Sequence, residues 1–76
     1  MVIAYVLIDT KLGQGSHVEK ELKEIDEVNE VYAVSRVYDF IVKIETETMV
    51  ELKDIITTKI RLINYVLSSL TLLTVE

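Results

Sequence analysis

Apolar residues recur along this chain at two spacings, one typical of β-strands and one typical of α-helices. Four segments combine a strand's length with β-branched and aromatic residues: Val2 to Asp9, Val28 to Arg36, Tyr38 to Glu45 and Tyr65 to Val75. In the third segment Phe40, Val42 and Ile44 fall on one face, because successive side chains of a strand point to opposite sides.

Two helices are predicted between these strands. After a turn at residues 11–16, Ser16 and Glu19 have the spacing of a capping box, which marks a helix start. Thr48 and Glu51 repeat that spacing before the second helix. Each helix has an apolar stripe, formed by Val18, Leu22 and Ile25 in the first and by Met49, Leu52, Ile55, Ile56, Ile60 and Ile63 in the second.

The element order β-α-β-β-α-β predicts an α+β, ferredoxin-like sandwich. Since only about two residues separate the second strand from the third, the two should form an antiparallel hairpin. Right-handed crossovers then give one four-stranded antiparallel sheet with two helices on one face. We expect residues 1–76 to form a single domain.

The sheet face that the helices leave uncovered is predicted to be apolar. In the first strand Val2, Ala4, Val6 and Ile8 point one way, and Ile3, Tyr5 and Leu7 point the other. In the fourth, Val66, Leu70 and Leu72 should oppose Leu67, Leu73 and Val75. Such a face would form a larger apolar patch than monomers usually expose, which favours a two-fold dimer through the sheets. The alternative is an irregular register with some apolar residues at strand edges.

Composition narrows the class of protein. The 76 residues carry 8 cationic and 13 acidic side chains, a net charge of −5, which argues against direct nucleic-acid binding. The chain has no cysteine, which rules out disulfides and zinc–thiolate sites. No apolar run approaches the ~18 residues of a membrane span. The absence of cysteine fits a reducing cytosol, and a cytoplasmic protein is expected.

The residues offer little material for a catalytic centre, and neither enzyme activity nor a cofactor or metal is expected. His17, the only histidine, stands among charged residues in the first helical turn and is interpreted as a solvated surface residue. The turn Gly13 to Gly15 is a weak candidate for an anion site and is more typical of a plain loop. The many carboxylates of residues 19–30 alternate with lysines and are interpreted as solvated.

Three polar residues on strands could meet a small ligand. Asp39, just after the hairpin turn, could accept amide hydrogens or an ammonium group, or could satisfy the backbone of its own turn. Ser69 and Thr71 are two apart and therefore share one side of the last strand. Their hydroxyls could bond a polar ligand or pair across strands.

Taken together, the run from Val31 to Ile44 resembles the signature of the Lrp/AsnC effector-binding domain, also called RAM. That signature has a strand, a Ser/Thr, a Gly, a variable residue, Tyr-Asp and an apolar strand. The second helix and the Thr-x-Thr strand of the family are matched by Leu52, Ile56, Lys59, Ile60, Ser69 and Thr71. Because the chain begins at the first strand and is acidic, it resembles a stand-alone form without the family's helix-turn-helix domain.

The resemblance implies a regulatory function. It implies homodimers through the sheet face, assembly of dimers into octamers or rings, and amino-acid effectors bound between dimers near the hairpin. The residues that match the family's ligand site are Ser35, Arg36, Val37, Tyr38, Asp39, Ser69 and Thr71.

Two residues depart from the family pattern. Arg36 stands where the hairpin usually has a glycine, so it could narrow the pocket or clamp a carboxylate. Tyr65 stands where a glycine often precedes the last strand.

Three other functions stay open. The first is a ligandless module that co-oligomerises with full-length Lrp-type regulators, which the arginine at position 36 favours. The second is an enzyme resembling the dimeric α/β-barrel monooxygenases, disfavoured because His17 faces away from the core. The third is an RNA-binding module, disfavoured because the open sheet face is expected to be aliphatic.

Overall fold

A computed structural model describes residues 1–35 and 37–74 of the protein. The elements are β1 (Val2–Thr10), α1 (Gly15–Lys23), β2 (Val28–Ala33), β3 (Phe40–Thr46), α2 (Met49–Ile55), a π-helical turn (Ile56–Ile60) and β4 (Val66–Leu73). The sheet order is β2-β3-β1-β4, and its neighbouring strands are antiparallel. The predicted α+β, ferredoxin-like fold is therefore confirmed.

The core lies between the sheet and the helices. Strict alternation in β1 and β3 directs every second side chain toward the helices, as a strand's period of two requires. The buried residues are Ala4, Val6 and Ile8 of β1, Phe40, Val42 and Ile44 of β3, Val18 and Leu22 of α1, and Leu52, Ile55, Ile56 and Ile60 of the second helical segment. The predicted faces of the first and third strands are confirmed.

The two helix starts differ in how they are capped. Thr48 caps α2 as predicted: its Oγ1 accepts a hydrogen bond of 3.2 Å from the backbone N of Glu51. The predicted capping box of α1 is wrong, because Gln14 is the N-cap and no side chain caps this helix. Ser16 already lies inside the first turn, one residue past the helix start, and so cannot act as the cap.

The second helical segment departs from α-helical geometry after Ile55. The backbone N of Arg61 donates to the carbonyl of Ile56 at 3.0 Å, which closes a wider, π-type turn. The hydroxyls of Thr57 and Thr58 donate to backbone carbonyls of the preceding turn. At the other end Met49 is 39% exposed, so its place in the predicted buried stripe is wrong.

An extra, unpaired residue in β4, Leu67, reverses part of the predicted pattern of this strand. Leu70 and Leu72 pair with Leu7 and Tyr5 on the open face, whereas Leu73 pairs with Ala4 on the helix side. The register shifts between Asp9 and Thr10, and beyond that point Val66 packs against the core. The prediction that Val66 shares a face with Leu70 and Leu72 is therefore wrong, and Val75 lies outside the described residues.

The connection between β2 and β3 is longer than predicted. Ala33 pairs directly with Phe40, so the loop runs between these two residues. The strand β2 ends before its predicted end at Arg36, and β3 begins after its predicted start at Tyr38. The first helix also ends early, at Lys23, which leaves Ile25 as a half-buried residue in the following turn. In the described part of the chain, no helix is long and apolar enough to cross a membrane.

Candidate ligand-binding hairpin and open sheet face

The hairpin loop 34–39 is anchored to the end of the central strand β1. The backbone N of Val34 donates to the carbonyl of Asp39 at 2.9 Å, which closes the loop. The backbone N of Asp39 donates to the carbonyl of Ile8 at 2.9 Å. The loop therefore keeps a fixed position relative to β1.

The Asp39 carboxylate reaches across to β1 and does not serve its own turn. Its Oδ2 accepts hydrogen bonds from the backbone N of Thr10 at 2.8 Å and from Thr10 Oγ1 at 3.0 Å. These two bonds, the backbone bond foremost, hold the pKa of Asp39 below its ordinary value, and a contact with the Asp9 side chain acts in the same direction. The hairpin thus presents an ionised carboxylate with a second acidic side chain beside it.

The other predicted residues of the hairpin differ in exposure. Ser35 and Val37 are exposed, and Tyr38 is half-buried. Arg36 lies outside the described residues. The described residues of the loop therefore put Ser35, Val37, Tyr38 and Asp39 together at one end of the sheet.

The two hydroxyl residues of β4 share one side of the strand, as predicted. Ser69 pairs with Ile8 and Thr71 pairs with Val6, so both lie on the helix side of the sheet. Within the described chain neither hydroxyl is hydrogen-bonded to the hairpin. Thr71 instead lines a groove between β4 and α2. Ser69, beside Ile8, therefore lies nearer than Thr71 to the hairpin, whose Asp39 N donates to the Ile8 carbonyl.

Thr10 is a member of the hairpin site that the sequence analysis did not identify. It is one of two buried polar residues in the described structure, and its two donors fix the Asp39 carboxylate. Its position in the sequence could have indicated this, because a threonine directly after Asp9 continues the alternation of β1 and falls on the buried face.

Tyr65 occupies a backbone conformation that favours glycine. Its φ is 76°, in the left-handed region that costs an L-residue about 1–2 kcal/mol. Its carbonyl accepts from the backbone N of Lys11 at 2.8 Å, and its ring meets the His17 ring edge-on with centroids 5.3 Å apart. The glycine that the family has here is thus explained by the turn, and the tyrosine adds a contact between the β4 start and α1.

His17 is partly exposed, in agreement with the prediction of a surface histidine. Its Nε2 lies 3.7 Å from Glu21 Oε1, one turn further along α1, and its side chain is 42% exposed. In the part of the chain that the structure describes, no group of three or more His, Cys, Asp or Glu residues could hold a metal ion.

The open face is the side of the sheet opposite the helices, and its apolar residues are Ile3, Tyr5, Leu7, Tyr32, Ile41, Leu70 and Leu72. Four of them form one continuous row across the sheet, because Tyr32 pairs with Ile41, Ile41 with Leu7, and Leu7 with Leu70. Tyr32, Leu70 and Leu72 remain about half exposed. The predicted apolar face is therefore present, although it carries two tyrosines and is not purely aliphatic.

Polar residues of the open face lie toward β2 and also at the end of β1, where Asp9 pairs with Ser68. Lys43 pairs with Glu30 across β2 and β3, with its Nζ 4.0 Å from the Glu30 carboxylate. Tyr32 donates its hydroxyl to Glu30, and this bond raises the pKa of the tyrosine. The face thus has an apolar centre with polar residues around it, which is the usual anatomy of a protein interface.

Comparison with known proteins identifies close relatives of this fold. The model of the Lrp/AsnC ligand binding domain family matches residues 3–76. Over 53 residues, 70% of this chain, it is 38% identical to the HTH-type transcriptional regulator FL11 of Pyrococcus furiosus, and the match spans 35% of that regulator.

Solved structures extend the comparison. The protein PHS023 of Pyrococcus horikoshii is 37% identical, with a TM-score of 0.92 over 100% of this chain and 92% of that one. TTHA0845 of Thermus thermophilus is 29% identical, with a TM-score of 0.94 over 100% and 95%.

Two more distant structures show the fold alone. A transcriptional regulator of Neisseria meningitidis and a feast or famine regulatory protein of M. tuberculosis, each solved with L-methionine, are 9% and 19% identical to this chain, with TM-scores of 0.89 and 0.85. The family match, which covers nearly every residue, goes further than these: the chain belongs to the Lrp/AsnC family and carries its ligand-binding domain.

Proposed function

We propose that residues 1–76 form a single cytoplasmic regulatory domain, without catalytic activity, that binds an amino acid and modulates transcription indirectly. The domain dimerises through its open face, and dimers assemble further. The effector lies between dimers near the hairpin, where Ser35, Arg36, Val37, Tyr38 and Asp39 of one chain and Ser69 and Thr71 of the same or a neighbouring chain contact it.

The electrostatics of the hairpin carry this proposal. The Asp39 carboxylate is fixed by two donors of Thr10, which lower its pKa and keep it ionised. An α-ammonium group pairs with such a carboxylate and donates charge-assisted hydrogen bonds to it. The two relatives solved with L-methionine have this fold, which supports an amino acid as the class of effector.

The separation of the hairpin from Thr71 supports an interface site. Within one chain the hairpin lies at the end of β1, whereas Thr71 faces α2 across from Val6. An effector held between dimers would meet the hairpin of one chain and the β4 hydroxyls of the same or a neighbouring chain. Its binding would then be coupled to assembly.

The test is isothermal titration calorimetry of the purified protein against each of the twenty amino acids. We expect saturable heats with one or a few of them and no heats with Asp39→Ala. Native mass spectrometry checks that this variant keeps the wild-type subunit number. Asp26→Ala, which removes an exposed carboxylate elsewhere, should bind like the wild type. The absence of a saturable heat with all twenty amino acids rejects the proposal.

A second function is favoured by Arg36. Arg36 stands where the family usually has a glycine, and an arginine side chain is much larger than the hydrogen of glycine. In that case the domain acts without ligand, by joining full-length Lrp-type regulators. Co-expression with such a regulator, followed by purification through a tag on one partner, should then yield mixed oligomers, and strict self-association contradicts it.

A further inference from the structure

A groove lies between the second helical segment and the edge strand β4, away from the hairpin. Its floor is apolar, and its volume is about 360 Å³, within the range of small-molecule sites. The residues that line it are Met49, Leu52, Lys53, Ile56, Thr57, Arg61, Thr71 and Leu73. Because β4 is the last strand of the sheet, no further strand covers this side.

The charge of this groove is opposite to that of the chain. Its described lining residues include two cations, Lys53 and Arg61, and no carboxylate, whereas the whole chain has a net charge of −5. Three other lysines, Lys23, Lys43 and Lys59, lie within 4.0 Å of a glutamate. Among the described residues neither groove cation has such a partner. The groove therefore combines apolar surface with positive charge that the chain itself does not neutralise.

The wall of the groove has unusual backbone geometry. Ile56 and Thr57 belong to the π-helical turn, and Arg61 donates the hydrogen bond that closes it. Turns of this type occur mostly as short insertions in helices and are frequent at functional sites. Here the turn puts a cation, a hydroxyl and an apolar side chain along one wall.

We propose that this groove binds a small amphipathic carboxylate, of the class of a medium-chain fatty acid. The alkyl chain would lie on Met49, Leu52, Ile56 and Leu73, and the carboxylate would meet Lys53 and Arg61 with the Thr71 hydroxyl nearby. This site shares Thr71 with the effector site proposed above, and none of its other described lining residues belongs to that site.

The test is a titration of isotope-labelled protein with sodium octanoate, followed by the backbone amide signals. We expect saturable shifts confined to α2, the π-helical turn and β4, and weaker binding of octan-1-ol, which has the same chain without charge. Lys53→Gln and Arg61→Gln should each weaken octanoate binding by about threefold, as expected for exposed ion pairs. Lys20→Gln, at an exposed lysine of α1, is the matched control and should bind like the wild type.

Other outcomes overturn the proposal. Equal affinity for octan-1-ol and octanoate shows an apolar groove without recognition of the anion. Shifts on the open face show that the chain prefers the other apolar surface. Shifts of the groove amides with protein concentration alone show that a second copy covers the groove.

The variant Asp39→Ala distinguishes this proposal from the proposed function. We expect it to bind octanoate like the wild type and to lose binding of the amino acid, so each proposal can fail without the other.

Discussion

At the scale of single residues, two side chains hold the hairpin end of the molecule together. Thr10 gives both of its donors to one oxygen of Asp39, which joins the hairpin to the central strand. Tyr65 adopts a left-handed backbone conformation and joins the start of β4 to Lys11 and His17. Both contacts link elements that are distant in the chain and adjacent in the sheet.

The free energy of unfolding should fall at acid pH, because the ionised form of Asp39 stabilises the hairpin end. Its pKa is lowered in the folded protein by the Thr10 bonds, so the ionised form stabilises the fold above the unfolded pKa of about 4. That stabilisation disappears as the pH falls through the lower, folded pKa. At neutral pH we expect Asp39→Asn to lower the free energy of unfolding by about 1 kcal/mol. Urea unfolding from neutral to strongly acidic pH should show the two proteins converging at the acid end.

Glu27 also contributes to the loss of stability at acid pH, so it is left unmutated in that comparison. Its pKa is lowered by a backbone hydrogen bond and by Lys59, whose Nζ lies 3.2 Å from the carboxylate. Asp26→Asn, at an exposed carboxylate, provides the reference curve. If the gap between Asp39→Asn and the wild type is constant with pH, Asp39 is not ionised in the way described here.

Tyr65 should tolerate glycine better than a β-branched residue. Tyr65→Gly and Tyr65→Val both remove the ring that meets His17, so their difference reports the cost of φ 76°. We expect Tyr65→Gly to be more stable than Tyr65→Val by at least about 1 kcal/mol, measured by thermal unfolding. Equal stability of the two variants would show that the turn relaxes to a negative φ.

At the scale of elements, the two helices are stabilised differently. The second has a threonine cap and continues into a π-helical turn, whereas α1 has no side-chain cap and buries only Val18 and Leu22. Packing on the sheet therefore stabilises α1, because a nine-residue helix is marginal on its own. The π-helical turn, in turn, shapes the wall of the groove beside β4.

The difference in capping predicts that one of two alanine substitutions destabilises the protein and that the other does not. Thr48→Ala removes the acceptor for the backbone N of Glu51 and should cost about 1 kcal/mol of unfolding free energy. Ser16→Ala, at the residue that resembles a cap in the sequence, should have no measurable effect, since Gln14 is the N-cap. Chemical unfolding of both variants and the wild type provides the comparison. A loss in Ser16→Ala as large as in Thr48→Ala contradicts this account.

At the scale of the whole molecule, the sheet has a buried face and a face that no part of the described chain covers. The row Tyr32, Ile41, Leu7 and Leu70 spans all four strands of the open face. A contiguous apolar surface of this kind is typical of interfaces between subunits. We therefore expect the assembly proposed above to depend on this face.

A single charge at the centre of the row should dissociate the assembly. Leu7→Lys puts an ammonium group between Ile41 and Leu70, where a dimer would bury it without a partner. We expect monomers in sedimentation velocity or native mass spectrometry, with the circular dichroism of the wild type. Val50→Lys, at a position of α2 that is 77% exposed, should keep the wild-type subunit number. Unchanged assembly of Leu7→Lys would show that the interface lies elsewhere.

Local patterns determined most of the fold and only part of the site. Some features depend only on residues that are close in the chain, so they could be predicted before any contact was known. They are the alternation in β1 and β3, the apolar stripes of the helices and the spacing of Thr48 and Glu51. The pattern of β4 failed at Val66 because Leu67 is an extra, unpaired residue opposite β1, and only the pairing of the two strands shows it. The capping box at Ser16 failed because a helix start depends on the preceding turn as well as on residue spacing.

The sequence by itself determined the element order and the two apolar faces of the sheet, since these follow from side-chain period and residue type. Its resemblance to the Lrp/AsnC signature indicated the family. Only the tertiary structure decided that Asp39 bonds Thr10, that Tyr65 needs a positive φ, and that Lys53 and Arg61 share a groove with Thr71. Each of these depends on distances between residues far apart in the chain. Such distances are set by strand register and helix packing, which no local pattern contains.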